Sequence, residues 1–390
     1  MNNVHALQEF NSVQTIADIL AGPKALEPVD FTGISIPEVN YVDSEAWERF
    51  AAGYADTVSE QTSTFVEARW GAERTERVIM SRDGEAIGGA VVVLFRVPGT
   101  ERGLAIVKWG PLWREKSEAI DITRLRACLL ALKDEYIDRR GCFLSVLPHA
   151  DPEFGDAKVA ALQSLGFTAG STLAYPDRYL VNVGLEAGEL KASLDQKWRY
   201  NLKKSLKNDL EVKFVGAEEG YPVFMELYEQ MLGRKQFQDS SAVGTLSQLV
   251  ECTEETHRPV FVLCYHDGRP TAGAVIGVSG ERAVYLYGAT DKRALRLKAG
   301  YAMHWWIAEW LCAREDVRWY DLGGTDGDKG LHQFKKGFCG KSGEILATPP
   351  TYNRSRSALD HMLGQSIYMM RDLKAAASRQ IHKARERLAA

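Results

Sequence analysis

Asp83-Gly-Glu-Ala-Ile-Gly-Gly-Ala-Val-Val-Val-Leu94 and Asp267-Gly-Arg-Pro-Thr-Ala-Gly-Ala-Val-Ile-Gly-Val278 are one pattern written twice. Each begins with Asp-Gly, two residues that tolerate positive φ, and each follows an apolar run, Val78-Ile-Met80 or Val260-Phe-Val-Leu-Cys264. An Asp-Gly pair between apolar, β-branched runs predicts a tight β-hairpin. The agreement continues downstream. Ala105–Gly110 and Val284–Gly288 read as the next strand, 117–140 and 300–315 as helices, and Cys142–Leu147 and Val317–Leu322 as strands. The ends match as Leu162-Gln-Ser-Leu-Gly-Phe167 and His332-Gln-Phe-Lys-Lys-Gly-Phe338. Hairpin, strand, helix, strand and Gly-Phe recurring in order predict two copies of one α/β (α+β) unit. The sheets are expected to be mixed and mainly antiparallel, flanked by helices.

The expected organisation is an acidic lead at 1–29, a first unit at 30–175, a second at 176–350 and a basic amphipathic C-terminal helix at 351–390. Pro176-Asp177 marks the junction, because proline disfavours helix before it. Residues 1–60 hold ten acids and two bases, with a helix expected at 43–58, and residues 354–390 hold eight bases and three acids. In the tail Leu359, Leu363, Ile367, Met370, Leu373, Ala377, Ile381, Ala384 and Leu388 recur every three or four positions, the stripe of an amphipathic helix.

Composition excludes several classes. Of the 390 residues, 45% are apolar and 26% charged, enough apolar surface for packed cores and too much for a disordered chain. No apolar run approaches the roughly 20 residues of a membrane-spanning helix. The start shows neither a basic n-region nor an apolar h-region, so a cytoplasmic protein without a secretory leader is expected. Six cysteines without a C-x-x-C pair read as reduced and zinc-free, and no metal site is expected. There is no Walker loop, G-x-S-x-G or H-E-x-x-H, which disfavours covalent serine and metal catalysis.

Three stretches carry a resemblance. They are Lys197-Trp-Arg-Tyr-Asn-Leu-Lys-Lys-Ser-Leu-Lys207; Tyr285-Leu-Tyr-Gly-Ala289 followed by Ala299-Gly-Tyr301; and Trp319-Tyr-Asp-Leu-Gly-Gly324 followed by Gly330-Leu-His-Gln-Phe-Lys-Lys-Gly-Phe338. In this order, over about 60–345, the chain resembles the FemABX family and the related BioF2-like acetyltransferases, whose units have the GNAT fold. The resemblance implies two tandem GNAT-like domains and an acyltransferase. The co-substrate would be acyl-CoA, or alternatively aminoacyl-tRNA, with no permanently bound cofactor. The acceptor would be an amine on a cell-envelope polysaccharide, or on its nucleotide- or lipid-linked precursor; for a tRNA-using, FemX-like enzyme it would be a peptidoglycan precursor peptide. A third reading is a catalytically silent relative that binds a phosphorylated ligand and regulates exopolysaccharide assembly.

Candidate residues follow from chemistry together with the resemblance. Residues 196–207 hold five basic side chains and no acid. On a helix Lys197, Asn201 and Lys204 share one face and Arg199 stands on a neighbouring one. The resemblance gives these positions the phosphates of a linked acceptor, Arg199 first; the plain reading is a solvated basic face. Arg293, Arg296 and Lys298 crowd before Gly300, where a helix begins, an arrangement that suits a pyrophosphate. Arg296 stands four residues before Gly300 rather than three, which departs from the coenzyme A loop of GNAT enzymes, and an ordinary basic loop fits as well. Lys335 and Lys336 stand between two aromatics. The resemblance puts one at the active site, stabilising the oxyanion formed when an amine attacks the donor; alternation predicts that they face opposite sides. Asp321 closes a strand before Gly323-Gly324 and either takes or orients the acceptor's proton or caps the turn. Tyr285 and Tyr287 line the donor channel or the core. The basic tail offers Arg379, Lys383, Arg385 and Arg387 to tRNA, an anionic membrane surface or a regulatory nucleotide, or simply packs.

Overall fold

The computed structural model describes residues 32–170, 176–235, 242–325, 327–371 and 373. The strands are β1 (Ile34–Ser35), β2 (Thr75–Arg82), β3 (Glu85–Arg96), β4 (Gly103–Lys108), β5 (Phe143–Leu147), β6 (Thr168–Gly170), β7 (Arg178–Asn182), β8 (Leu210–Val215), β9 (Val260–His266), β10 (Arg269–Val278), β11 (Arg282–Thr290), β12 (Trp319–Asp321), β13 (Glu344–Leu346) and β14 (Thr351–Arg354). The helices are α1 (Ser44–Ala52), α2 (Ser63–Trp70), α3 (Ile122–Leu132), α4 (Gly155–Ser164), α5 (Ala187–Ser193), α6 (Gln196–Ser205), α7 (Ala217–Lys235), α8 (Leu246–Val250), α9 (Ala294–Leu297), α10 (Ala299–Cys312), α11 (Lys329–Cys339) and α12 (358–371).

Two seven-stranded sheets result, ordered β1-β2-β3-β4-β5-β14-β6 and β8-β9-β10-β11-β12-β7-β13. Position by position they are the same sheet: a hairpin, a third antiparallel strand, a parallel pair (β4–β5, β11–β12), then an inserted antiparallel strand. The Asp-Gly turns are where the sequence puts them, with φ of 52° and 90° at Asp83 and Gly84, and 51° and 70° at Asp267 and Gly268. Positive φ at both central residues gives a turn whose twist matches the flanking strands. Even the irregularity repeats. The β2–β3 register skips Ile87 and the β9–β10 register skips Thr271, each four residues past its aspartate.

One strand corrects the reading of the tail as helical from 351. Residues 351–354 are β14, slotted between β5 and β6 in the first sheet. The inserted strand of the second sheet, β7, is the first strand of its unit, whereas that of the first sheet arrives only after the second is complete. Tyr352 sits in the first core and Asn353 takes the Ser145 hydroxyl proton at 2.6 Å. Residues 351–354 are therefore part of the first sheet. Beyond it, α12 lays Gly364 and Tyr368 on Phe143 and exposes Leu359, Met362, Met369, Met370 and Leu373. The lead at 1–29 and Arg379, Lys383, Arg385 and Arg387 lie outside the described residues.

Each unit has its own core: Val78, Met80, Val92, Leu129, Leu144 and Phe167 in the first, and Val181, Trp198, Ile276, Ile307, Tyr320 and Phe338 in the second. The units meet through buried polar contacts. The Arg114 guanidinium grips the Glu281 carboxylate through both of its oxygens, Glu281 N–H donates to Ala55 O at 2.8 Å, and Arg282 Nη1 donates to Ala150 O at 2.9 Å. Two-pronged guanidinium–carboxylate pairing fixes orientation as well as distance, so the second sheet holds a defined position against β4 and β5.

Candidate active site

In the first unit β4 and β5 pair over five rungs, Leu104–Phe143 to Lys108–Leu147. In the second, β11 and β12 pair over three, Arg282–Trp319, Ala283–Tyr320 and Val284–Asp321, and β11 then runs on to Thr290 without its parallel neighbour. On its other edge β11 pairs with β10, but the register slips: Tyr287 faces Val275, Tyr285 faces Ile276, and Leu286 has no rung. A bulge frees backbone groups from the ladder and turns the strand. The early parting and the bulge together open the second sheet beside its parallel pair, whereas the first sheet parts between β3 and β4 after Val93–Ile106 and the Gln61 amide bridges Val91 and Lys108 there.

The bulge also corrects the pairing of the two tyrosines. Residues two apart on a regular strand share a face; here the extra residue puts them on opposite ones. Tyr285 packs edge-on against His304 in the second core, and burial raises its phenol above the ordinary tyrosine range. Tyr287 enters a separate cluster with Phe224 and Tyr228, and its hydroxyl donates to Ala242 O at 2.8 Å. They do not line one channel, and nothing in the residue types announces the bulge.

Asp321 ends β12 with no exposed surface. Its Oδ2 accepts from Arg178 through Nε at 3.0 Å and Nη2 at 2.9 Å, with Arg282 Nη1 at 3.6 Å; its Oδ1 accepts Gly323 N–H at 2.9 Å. Gly323 has φ 71°, the left-handed conformation that a side chain would strain, so the turn needs its glycine. The carboxylate thus caps the turn and is held by two guanidinium groups. It holds the Gly323 turn and the two arginines in one arrangement.

Lys335 and Lys336 fall on α11, so the difference in their directions comes from helical rotation rather than strand alternation. Lys335 is buried and its Nζ donates to Leu322 O and Gly324 O, while Lys336 is exposed. Lys335 therefore fastens the same turn from the other side. Burial of the ring, with the Lys335 charge nearby, pushes His304 down to about 3, and its Nδ1 lies 2.9 Å from the Tyr320 hydroxyl.

The predicted phosphate residues divide. Asn201 donates to the Tyr301 hydroxyl at 3.1 Å, Ser205 to Lys298 O at 2.7 Å and Asn208 to Leu297 O at 2.9 Å, so α6 is fastened alongside the start of α10. There Lys298 stands in the left-handed conformation, a Cβ on Gly300 would meet nothing within 4 Å, and Lys204 and Lys298 lie over Tyr200 and Tyr301. In the first turn of α10 Tyr301 N–H donates to Lys298 O at 2.9 Å. Lys197 is exposed on α6. Arg199, in contrast, donates to Ala192 O and Leu194 O and closes the end of α5. Arg293 is paired with Asp291 at 2.6 Å and also reaches Pro270 O, and Arg296 is exposed on α9.

Sequence reasoning missed the first unit's share. His149, just past β5, brings Nε2 to 3.9 Å from Asp321 Oδ2, and Trp109 lies under both His149 and Arg178. Burial, with Arg282 and Arg178 alongside, pushes the His149 ring well below the ordinary histidine range, so it is neutral. Behind it a cavity of about 30 Å³ is lined by Asp56, Trp109, Arg114, His149, Lys158 and Arg282. Burial raises Asp56 there to about 6. The sequence held no signal for these contacts, because each residue stands alone in its own stretch and only the packing of one unit on the other assembles them.

Residues 192–336, from the end of α5 into α11, match the family described as acetyltransferase (GNAT) domain. The chain carries a GNAT acetyltransferase domain in its second unit and is an acyltransferase by class. Among solved structures, the fold is that of FemX: TM-score 0.67 at 17% identity, over 85% of this chain and 99% of that one. The C-terminal domain of a putative lysylphosphatidylglycerol synthetase from Agrobacterium fabrum superposes at TM-score 0.53 and 14% identity, over 81% of this chain and 95% of its own. L-PGS from Bacillus licheniformis gives 0.51 and 13%, over 86% and 97%. No curated protein matches the sequence. At these identities the likeness is one of fold, a tandem arrangement of GNAT-like units.

The two lysines give a sharp expectation. Lys335→Met should lower kcat/KM by roughly 10²-fold or more by releasing the turn and removing a buried charge from the site, whereas Lys336→Met should stay within about twofold. Steady-state kinetics with circular dichroism on both variants checks this; equal effects would mean that the direction of the side chain is irrelevant.

Proposed function

We propose that the second unit transfers an acyl group from acyl-CoA to an amine on a cell-envelope polysaccharide or its nucleotide- or lipid-linked precursor. The observation that carries this reading is the opening of the second sheet, with β11 bulged at Leu286 and parted from β12 after Val284, beside the start of α10. In such an opening the donor's thioester carbonyl lies along β11, and ladder-free backbone N–H groups meet the oxyanion. The diphosphate of the donor lies at the start of α10, near Lys298 and Gly300, with Lys204 alongside. The amine lone pair attacks the carbonyl, the C–N bond forms, the C–S bond breaks, and the departing thiolate takes the amine's proton. On this reading the acceptor binds beside the turn fixed by Asp321 and Lys335, at the boundary between units near Arg178, Trp109 and His149.

A second reading has support of its own. Lys197, Lys203, Lys204 and Lys207 are exposed along and just after α6, a cationic edge that suits a polyanionic donor such as aminoacyl-tRNA and a peptidoglycan precursor as acceptor. The purified chain, given acetyl-CoA and charged tRNA in separate reactions with amino-sugar and peptide acceptors, should consume acetyl-CoA only when an acceptor is present. Consumption of charged tRNA alone moves the assignment to the second reading. Turnover of neither moves it to a silent ligand-binding regulator.

The exposed apolar stripe of α12 supports peripheral contact with an anionic membrane. Leu359, Met362, Met369, Met370 and Leu373 are each more than half exposed, and Arg371 and a strongly basic segment accompany them. Apolar residues beside cations suit an anionic lipid surface. No described helix is long and apolar enough to cross a membrane. Vesicles of phosphatidylglycerol should sediment the chain and vesicles of phosphatidylcholine should not. Met369→Glu with Met370→Glu should abolish the effect, and sedimentation unchanged by those substitutions would remove α12 from the account.

A further inference from the structure

Glu48 on α1 is 1% exposed, yet neither the sheet opening nor the unit boundary around Asp321 uses it. Its partners come from the other unit: Cys252, after α8, is 3% exposed, and His257, closing the short turn Glu255–His257, is 5% exposed. One donor atom from each of the three lies within 4.8 Å of the other two. Thr64 on α2 completes the surroundings, its Oγ1 standing 2.6 Å from Glu48 Oε1 and 3.4 Å from Cys252 Sγ.

We propose that Glu48, Cys252 and His257 form a binding site for a transition-metal dication, zinc by preference, that clasps the two units together. Thiolate, imidazole and carboxylate are the ligands zinc takes. Around a tetrahedral zinc with bonds of about 2.0–2.3 Å, ligand atoms stand about 3.3–3.8 Å apart, so the cluster needs only a small contraction or spreading to accept the ion. The Thr64 hydroxyl or a water can fill the fourth position.

His257 Nδ1 lies 2.9 Å from Glu48 Oε2, so Nδ1 is the ring nitrogen that can share an ion with the carboxylate. Charge balances as well. Binding sends the thiol proton and the proton between His257 and Glu48 to solvent, and the thiolate and carboxylate then offset the dication, leaving a neutral buried site. With Glu48 from the first unit and Cys252 and His257 from the second, the ion would act on the join between units, remote in sequence from the opened strands.

The test uses the full chain without a histidine tag. Metal-stripped protein is titrated with Zn²⁺ against a chromophoric chelator, and in parallel with Co²⁺, whose bond to thiolate gives a near-ultraviolet charge-transfer band. The expected result is about one metal per chain, a cobalt–thiolate band and a rise in the unfolding temperature on adding Zn²⁺. Cys252→Ser should remove the band, and Glu48→Gln, which retains an oxygen for Thr64, should weaken binding about 10–100-fold. A wild-type chain that shows no cobalt–thiolate band overturns the proposal and leaves a hydrogen-bonded clasp. Binding unchanged in both variants overturns it equally, because the metal would then sit elsewhere. Should Cys252→Ser fail to fold, the wild-type band and the Glu48→Gln titration decide.

Discussion

A carboxylate with no exposed surface has to be balanced where it stands, and Asp321 sets that requirement at the centre of this molecule. Desolvating an ion costs several kcal/mol unless opposite charge and hydrogen bonds replace the lost water. Arg178 from β7 and Arg282 from β11 supply the charge, and Gly323 N–H supplies a further bond. Each partner then carries its own consequence. Arg178 brings in the first strand of its unit, Arg282 reaches across to Ala150 O in the first unit, and the Gly323 turn is fixed where Lys335 can fasten it. One buried charge thus ties β7, β11, β12, α11 and the neighbouring unit to a single geometry. Its pairing makes it an organiser of the site.

Around that centre the two copies have taken different parts. They share strand order, hairpin turns and the skipped residue in the hairpin ladder, and they differ in how the parallel pair ends. The first copy keeps five rungs between β4 and β5, and places Trp109 and His149 immediately beyond them, facing Asp321. The second gives up rungs after Val284 and adds a bulge at Leu286. A copy whose gap is filled by the Gln61 side chain serves as wall, and a copy parted at its parallel pair serves as workplace, a division of labour that repetition permits. The GNAT match covers the opened one.

The repeat and the Asp-Gly turns were legible because local chemistry decides them: two residues that accept positive φ, flanked by β-branched runs, leave few alternatives. The place of β14 was not legible, because Thr351–Arg354 is too short to announce a strand and its partners lie some 180 residues and more away in sequence. Tyr285 and Tyr287 were read as one face because alternation has no way to include a bulge. Arg199 carried the expected charge in the expected helix, but the end of α5, which claims it, is fixed by packing. The cysteines showed no paired spacing, so a cluster assembled from Glu48, Cys252 and His257 had no signature in any window of sequence.

The account's central claim is that the donor is held in the opened second sheet and not in the first one. Backbone hydrogen–deuterium exchange measures this directly, with the chain alone and with saturating coenzyme A or charged tRNA. The account predicts that the productive donor slows exchange in peptides covering 284–290 and 299–303, because those amides gain a partner, and leaves 104–112 unchanged. Protection confined to 104–112, with 284–290 unaffected, would contradict it.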